Sequence, residues 1–112
     1  MKKQGFISTV LMSVLILVSP LSMAATPQYE FTISGHVFSP AEITIPANTK
    51  VILLVHNKDN GPEEFHSDSL HREKIIGANM TGKIKIGPLS PGEYSFMGEF
   101  HAGTAQGRVI VK

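Results

Sequence analysis

Short segments of apolar residues, separated by turn-forming residues, constrain the fold of this chain more than any other feature. The segments lie at residues 29–33, 42–45, 51–55, 83–86, 92–96 and 108–111. In most of them apolar and polar residues alternate, which is typical of a strand with one buried face. Residues 51–55 are continuously apolar, as expected of a central strand covered on both faces. The pattern predicts about seven strands.

The intervals between these segments are rich in turn-forming residues. Proline, glycine, asparagine or aspartate occur at residues 39–40, 46–48, 59–62, 87–88 and 90–92. After residue 24 the chain holds nine Ile and five Val but four Leu, and β-branched residues suit pleated surfaces. Residues 67–80 fit neither period, so a loop with a short helix or an irregular strand is expected there. The fold class indicated is an all-β sandwich or barrel.

The N-terminal segment has the pattern of a secretory signal peptide. Two lysines near the start precede an apolar run at residues 6–18, and Ser22 and Ala24 fit the small-x-small exit. We expect cleavage before Ala25, which makes residues 1–24 a signal peptide. The alternative is an uncleaved anchor, but the run is shorter than the ~20 residues of a spanning helix. The protein is expected to be exported, with no membrane span after cleavage.

Residues 25–112 are predicted to form one domain. They carry eight Lys or Arg and nine Asp or Glu, which is far from the basic balance of a nucleic-acid-binding protein. The chain has no Cys, and this excludes disulfide frameworks, zinc ribbons, iron–sulfur sites and thiol nucleophiles. It also lacks a nucleophile elbow, a phosphate-binding glycine loop and a paired-histidine zinc helix. A hydrolase is therefore poorly supported.

Two segments bring acidic residues and a histidine close together. They are residues 62–66, expected in a turn after a strand, and residues 96–101, at the end of a late strand. Carboxylate and imidazole ligands suit Cu(II), Fe, Zn or Mn. Solvated loop residues are the simpler explanation on local sequence alone. His36, His56 and His71 are expected to be structural or surface histidines.

The order and spacing of several motifs resemble cupredoxins. The opening half has F-x-P-x-E-I-x-I-P-A at residues 38–47 and V-x-L-x-V-x-N at 51–57. The closing half has G-P-L-x-P-G-x-Y-x-F at 87–96, then His101, then G-x-V-x-V at 107–111. The resemblance implies a Greek-key β-sandwich whose metal lies between two loops at one end.

The resemblance does not extend to the usual copper ligands. A blue-copper site uses two His, one Cys and a weak axial Met or Gln. In this sequence the first histidine position is matched by Glu63, with Glu64 beside it, and the cysteine position is matched by Gly98. The second histidine position is matched by His101, and the axial position falls near Gln106. Without a thiolate, a blue-copper electron carrier is excluded.

Four motifs resemble a cysteine-free cupredoxin subgroup that accompanies bacterial ferrous-iron uptake systems. They are P-E-E-F at residues 62–65, R-E-K at 72–74, G-E-F-H at 98–101 and T-A-Q-G at 104–107. The resemblance implies a copper-containing periplasmic protein that helps oxidise Fe(II) before an inner-membrane Fe(III) permease transports it. Other periplasmic uptake components are further expected partners.

The predicted metal site consists of Glu63, Glu64, Glu99 and His101, with His66 and Met97 in reserve. An oxygen and nitrogen ligand set favours Cu(II) as the bound metal, and carboxylates could also hold Fe(II) or Fe(III) as substrate. One geometric condition applies. In a regular strand Met97 and Glu99 point outward, so Glu99 reaches the site only if the strand bends at Gly98.

Two other functions are compatible with the sequence. One is a non-catalytic periplasmic copper or iron carrier that delivers metal to a partner. The other is a metal-free adhesion or scaffold sandwich. Metal uptake separates the last function from the other two, and Fe(III) formation separates the redox component from the carrier.

Overall fold

The structure is a computed structural model that describes residues 25–112, so the predicted signal peptide lies outside the described residues. These residues form nine strands: β1 (Gln28–Ser34), β2 (Val37–Ser39), β3 (Glu42–Ile45), β4 (Val51–Asn57), β5 (Glu63–Ser67), β6 (Arg72–Ile76), β7 (Thr81–Ile86), β8 (Gly92–Gly98) and β9 (Gln106–Val111). A short 3-10 helix, Glu99–His101, follows β8. Within 25–112 no helix has the length and apolar character needed to cross a membrane.

The strands form two sheets that pack as a sandwich. The four-stranded sheet has the order β2-β1-β4-β7, and the five-stranded sheet has the order β3-β9-β8-β5-β6. β1 runs parallel to β4 and β3 runs parallel to β9, whereas the other pairs are antiparallel. The prediction of an all-β, cupredoxin-like Greek-key sandwich is confirmed.

Four phenylalanines at the centre of the sandwich join the two sheets. The ring of Phe96 has its centroid 4.9 Å from those of Phe31, Phe38 and Phe65. All four side chains are buried. Phe65 and Phe96 belong to β5 and β8, so this core fixes the two strands that carry the candidate site residues.

One local prediction was wrong, and the number of strands was underestimated. Residues 62–66 were expected in a turn, but Glu63–Ser67 is strand β5, which pairs with both β6 and β8. Segment 67–80, where a loop with a short helix or an irregular strand was expected, contains strand β6, and the described residues form nine strands instead of about seven. The strand pattern of β5 was obscured because Glu63, a charged residue, occupies an inward-facing position.

One end of the sandwich, here called the loop end, carries residues 35–36, 58–62 and 99–105. Asn57 holds the loops at this end in place. Its side-chain amide donates to the carbonyls of Gly61 at 2.9 Å and Ile76 at 3.1 Å, and its side-chain oxygen accepts the Asp59 N–H at 3.0 Å. The loops therefore start from a fixed, buried anchor.

Candidate metal centre

The carboxylate of Glu63 is the most deeply buried charged group at the loop end. Its side chain lies at the inward-facing start of β5, and the residue is 1% exposed. Oε1 accepts the backbone N–H of Glu64 at 3.0 Å and of Phe100 at 2.9 Å. Oε2 lies 2.6 Å from Nδ1 of His101. These three contacts compensate the burial of the charge.

The Glu63 contact determines which nitrogen of His101 is available. A carboxylate that faces Nδ1 holds the proton on that atom and leaves the Nε2 lone pair free. A carboxylate that orients a histidine in this way is the usual second partner of a metal-binding imidazole. Glu63 therefore orients His101 in the present geometry. Its role as a direct ligand stays a prediction.

His36 lies against His101 at the loop end. The two imidazole rings are nearly parallel, with centroids 3.5 Å apart and an angle of 14° between the planes. The hydroxyl of Thr104 donates to the His36 carbonyl at 2.6 Å, which ties the segment after the 3-10 helix to the turn that carries His36. His36, Glu63 and His101 form the inner cluster, in which one ligand atom of each lies within 4.8 Å of the others.

Asp59 holds the turn that presents His36. Gly35 and His36 both have a φ of 61°, the left-handed conformation of a tight hairpin turn. The Asp59 carboxylate accepts the N–H of Gly35 at 2.7 Å and of His36 at 3.0 Å. These backbone N–H groups hold the pKa of Asp59 below its ordinary value of 3.8. An ionised carboxylate therefore fixes a non-glycine residue in a strained conformation.

The position that resembles the cupredoxin cysteine has no room for a side chain. A Cβ atom on Gly98 would lie 2.6 Å from Cδ of Glu63 and 2.7 Å from Cβ of Ala105. The Glu63 carboxylate thus fills the space beside residue 98. The loss of the thiolate and the presence of a buried carboxylate are two parts of one local arrangement.

A second group of ligand atoms lies on the outer face of the five-stranded sheet. His66 points outward from β5 and pairs with Glu73 of β6 on one side and with Met97 of β8 on the other. Nδ1 of His66 is 3.1 Å from Glu73 Oε1 and 3.4 Å from Glu99 Oε2. The outer cluster consists of Glu64, His66, Glu73 and Glu99, each with one ligand atom within 4.8 Å of the others.

Negative charge is concentrated in the outer cluster. Desolvation raises the pKa of Glu64 above its ordinary value of 4.5, and the nearby charges of Glu99 and Glu73 raise it further. The hydrogen bond to Asp68 raises the pKa of His66 above 6.5; desolvation opposes this rise, and the neighbouring carboxylates add to it. Desolvation at Glu64 and the Asp68 hydrogen bond at His66 are the largest causes, and the nearby carboxylates add to both rises.

The four predicted site residues do not form one group. Glu63 and His101 belong to the inner cluster, whereas Glu64 and Glu99 belong to the outer cluster. Glu99 was expected to reach the site only if the strand bends at Gly98, and its position explains part of this separation. β8 ends at Gly98, and Glu99 lies on the outer face beside His66.

The reserve and axial candidates also take separate places. His66 is central to the outer cluster, and Met97 lies opposite it on β8 and is 36% exposed. The amide of Gln106 donates to the carbonyl of Ala102 at 2.9 Å. A weak axial role for Gln106 stays a prediction.

Sequence reasoning missed His36 and Glu73. His36 was expected to be a surface histidine, because its strand–turn context gives no sign of a distant partner. Only the parallel pairing of β1 with β4 brings its turn to the loop end. Glu73 was part of a recognised motif, but its contact with His66 depends on the β5–β6 register.

Residues 7–111 match the cupredoxin-like domain family. The chain belongs to this family. Over 84 residues it is 44% identical to the uncharacterized protein RP394 of Rickettsia prowazekii (strain Madrid E), a match that covers 75% of this chain and 67% of that protein.

Solved structures show the same fold at low sequence identity. Auracyanin A, a blue copper protein from Chloroflexus aurantiacus, has a TM-score of 0.67 at 13% identity and covers 79% of this chain and 100% of its own. The metal-binding domain of the Streptococcus pneumoniae D39 Cu(I)-exporting ATPase CopA has a TM-score of 0.66 at 16% identity and covers 76% and 84%. At these identities the comparison supports the fold and not a ligand set.

Proposed function

We propose that this cupredoxin-like protein binds Cu(II) at the inner cluster in the periplasm and assists the oxidation of Fe(II) before Fe(III) transport. The observation that carries the proposal is the 2.6 Å contact between Glu63 and Nδ1 of His101, with the ring of His36 stacked on His101. Imidazole nitrogens are ligands that Cu(II) accepts, a carboxylate on the second ring nitrogen is their usual partner, and copper heads the divalent affinity order. The ligand types that meet at the inner cluster therefore suit this metal.

Each residue of the inner cluster has a separate task. His101 offers Nε2 as a ligand because Glu63 occupies Nδ1. His36 offers a second imidazole, which Asp59 holds through the turn. A bound Cu(II), held by His101 and His36, would supply a one-electron oxidant for Fe(II); overall, four Fe(II), one dioxygen and four protons from solution would give four Fe(III) and two water molecules.

The fold relatives support copper as the metal but not its ligands. Auracyanin A is a blue copper protein, and the CopA domain was determined with Cu(I). This chain has no Cys, so a thiolate site of the blue-copper type does not apply. The proposed site is instead built from the imidazoles of His36 and His101, with the Glu63 carboxylate orienting His101.

The expected partners follow from the proposed role in iron uptake. Fe(II) is the substrate, and an inner-membrane Fe(III) permease with other periplasmic uptake components receives the product. The four motifs that resemble the iron-uptake subgroup support this assignment. Export by a cleaved signal peptide would bring the protein to the periplasm.

Fe(III) formation by the copper-loaded protein tests the proposal. We expect the protein without residues 1–24 to accelerate Fe(III) formation and oxygen consumption over free Cu(II). The double variant Glu63→Ala/His101→Ala should lose the acceleration. Glu42→Gln, on the opposite edge of the same sheet, is the matched control and should retain it. Equal rates for the protein and the double variant would reject a redox role.

A non-catalytic copper or iron carrier is the second candidate. A site of nitrogen and oxygen ligands stabilises Cu(II) over Cu(I), which favours storage or delivery over rapid redox cycling. Tight Cu(II) binding without Fe(III) formation would establish the carrier. Equilibrium dialysis that shows no uptake of Cu(II) or iron would instead favour a metal-free scaffold.

A further inference from the structure

We infer that the outer cluster is a second metal site, separate from the inner cluster, that takes a hard divalent ion of the Fe(II) and Mn(II) class. Only the identification of Fe(II) as a substrate ion rests on the proposed function. The site itself rests on the geometry of Glu64, His66, Glu73 and Glu99.

The backbone pairing presents these four side chains to one point. Glu64 and His66 are two residues apart on β5 and therefore share its outward face. Glu73 is the cross-strand partner of His66 on β6. Glu99 arrives from the residue after β8, on the other side of β5. Three chain segments thus deliver ligand atoms that lie within 4.8 Å of one another.

The imidazole of His66 gives a second indication of a ligand. Its Nδ1 atom has under 1 Å² exposed and makes no hydrogen bond. Glu73 Oε1 is 3.1 Å away but is not aligned as an acceptor for this nitrogen. Its Nε2 is engaged with Asp68 at 2.9 Å, which fixes the ring. Nδ1 lies within 3.4 Å of a Glu73 and a Glu99 oxygen without a hydrogen bond to either, which is how ligand atoms converge on a shared cation.

Acidic residues elsewhere on this face have a cationic partner. Nε of Arg108 lies 2.6 Å from Glu42 Oε2, and its NH1 lies 3.4 Å from Glu93 Oε2. Within residues 25–112 no Lys or Arg forms an ion pair with an acidic residue of the outer cluster; Glu73 and Glu99 pair only with His66. On this sheet surface Arg108 thus neutralises Glu42 and Glu93, whereas no Lys or Arg among residues 25–112 does so for the outer cluster.

The donor set selects the class of ion. Three carboxylates and one imidazole are hard to borderline ligands, which suit Fe(II) and Mn(II) better than Cu(I). Glu63 and Glu64 are consecutive residues of β5, so the two clusters lie on opposite faces of one strand. The protein would therefore hold two metals of different class on either side of β5.

Mn(II) binding to the metal-free protein without residues 1–24 tests the inference. Mn(II) is a redox-silent probe that electron paramagnetic resonance detects when free. We expect saturable binding of one Mn(II), and at least a tenfold loss of affinity in Glu64→Gln/Glu73→Gln. Glu42→Gln/Glu93→Gln is the matched control, because it removes the same number of carboxylates from the same face and should keep the affinity. His101→Ala should also keep it.

The location of the ion gives a second readout. Bound Mn(II) should broaden the NMR signals of the His66 ring more than those of His101. The inference is overturned if the protein shows no saturable Mn(II) binding, if Glu64→Gln/Glu73→Gln binds as tightly as the control, or if the His101 ring is broadened more. Mn(II) binding without copper-dependent Fe(II) oxidation rejects the proposed function alone. Oxidation without Mn(II) binding rejects the second site alone.

Discussion

Glu63 and Glu64 are adjacent and chemically identical, yet the fold gives them opposite surroundings. Glu63 faces the interior, where two backbone N–H groups and His101 surround its carboxylate. Glu64 faces outward beside Glu73 and Glu99. Desolvation raises the pKa of Glu64 above its ordinary value, and the charges of Glu99 and Glu73 raise it further. The inner carboxylate is satisfied by the protein itself, and the outer carboxylates are not. The pleat of one strand thus separates an orienting residue from a candidate ligand.

Replacing each of the two glutamates by alanine gives the sharpest test of this difference. Glu63→Ala leaves three buried or half-buried donors without an acceptor, so we expect the free energy of unfolding to fall by about 3 kcal/mol. Glu64→Ala should leave it unchanged or slightly higher in the metal-free protein, because it removes a repelled charge. Urea denaturation measures both. Equal losses in the two variants would contradict the assigned difference.

A side chain at residue 98 should also destabilise the protein, because it would overlap the inward-facing Glu63. In Gly98→Ala the added methyl meets Glu63 and Ala105 at under 3 Å, and overpacking of this kind costs about 1–3 kcal/mol. Gly103→Ala is the control, because a methyl group on that residue would have no atom within 4 Å. Thermal denaturation of both variants measures the effect. A Gly98→Ala protein as stable as Gly103→Ala would show that Glu63 can move aside.

Removal of His36 should weaken the inner site without unfolding the protein. We expect His36→Ala to lower Cu(II) affinity about tenfold, since one imidazole is lost and the ring of His101 loses its neighbour. His56→Ala is the control, because that ring contacts Thr81 and Glu30 and is not part of the inner cluster. Titration of Cu(II) against a competing chelator measures both. Equal affinities would remove His36 from the site.

The smallest expected effect is a pH dependence of the protein's stability that arises from His66 in the outer cluster. His66 has a pKa above 6.5 in the folded protein, chiefly through its bond with Asp68. A group whose pKa is higher in the folded than in the unfolded protein stabilises the fold fully below its unfolded pKa. This contribution to stability is lost as the pH rises through its folded pKa. Stability of the metal-free protein should therefore decline above pH 6.5. Asp68→Asn should flatten that decline in denaturation curves taken across this range; an unchanged slope would contradict the assignment.

The sequence supported the fold better than the site. Alternation and turn residues predicted most strands, and the order of motifs predicted the Greek-key sandwich. Strand β5 was missed because the inward-facing Glu63 obscures the period of two, and β6 lies in a segment where a loop with a short helix or an irregular strand was expected. The sequence placed the predicted site residues in one group, whereas the structure divides them between two clusters. Residues that lie close in sequence were assumed to converge, but consecutive residues of a strand point to opposite faces.

The sequence by itself determined the fold class and the absence of a thiolate, since both depend on composition and local pattern. Only the tertiary structure decided which acids face which histidines. His36 joins His101 through the parallel pairing of β1 with β4, and Glu73 joins His66 through the register of β5 with β6. Such contacts depend on side-chain direction and strand register, which are set by packing of the whole sandwich and not by any single segment.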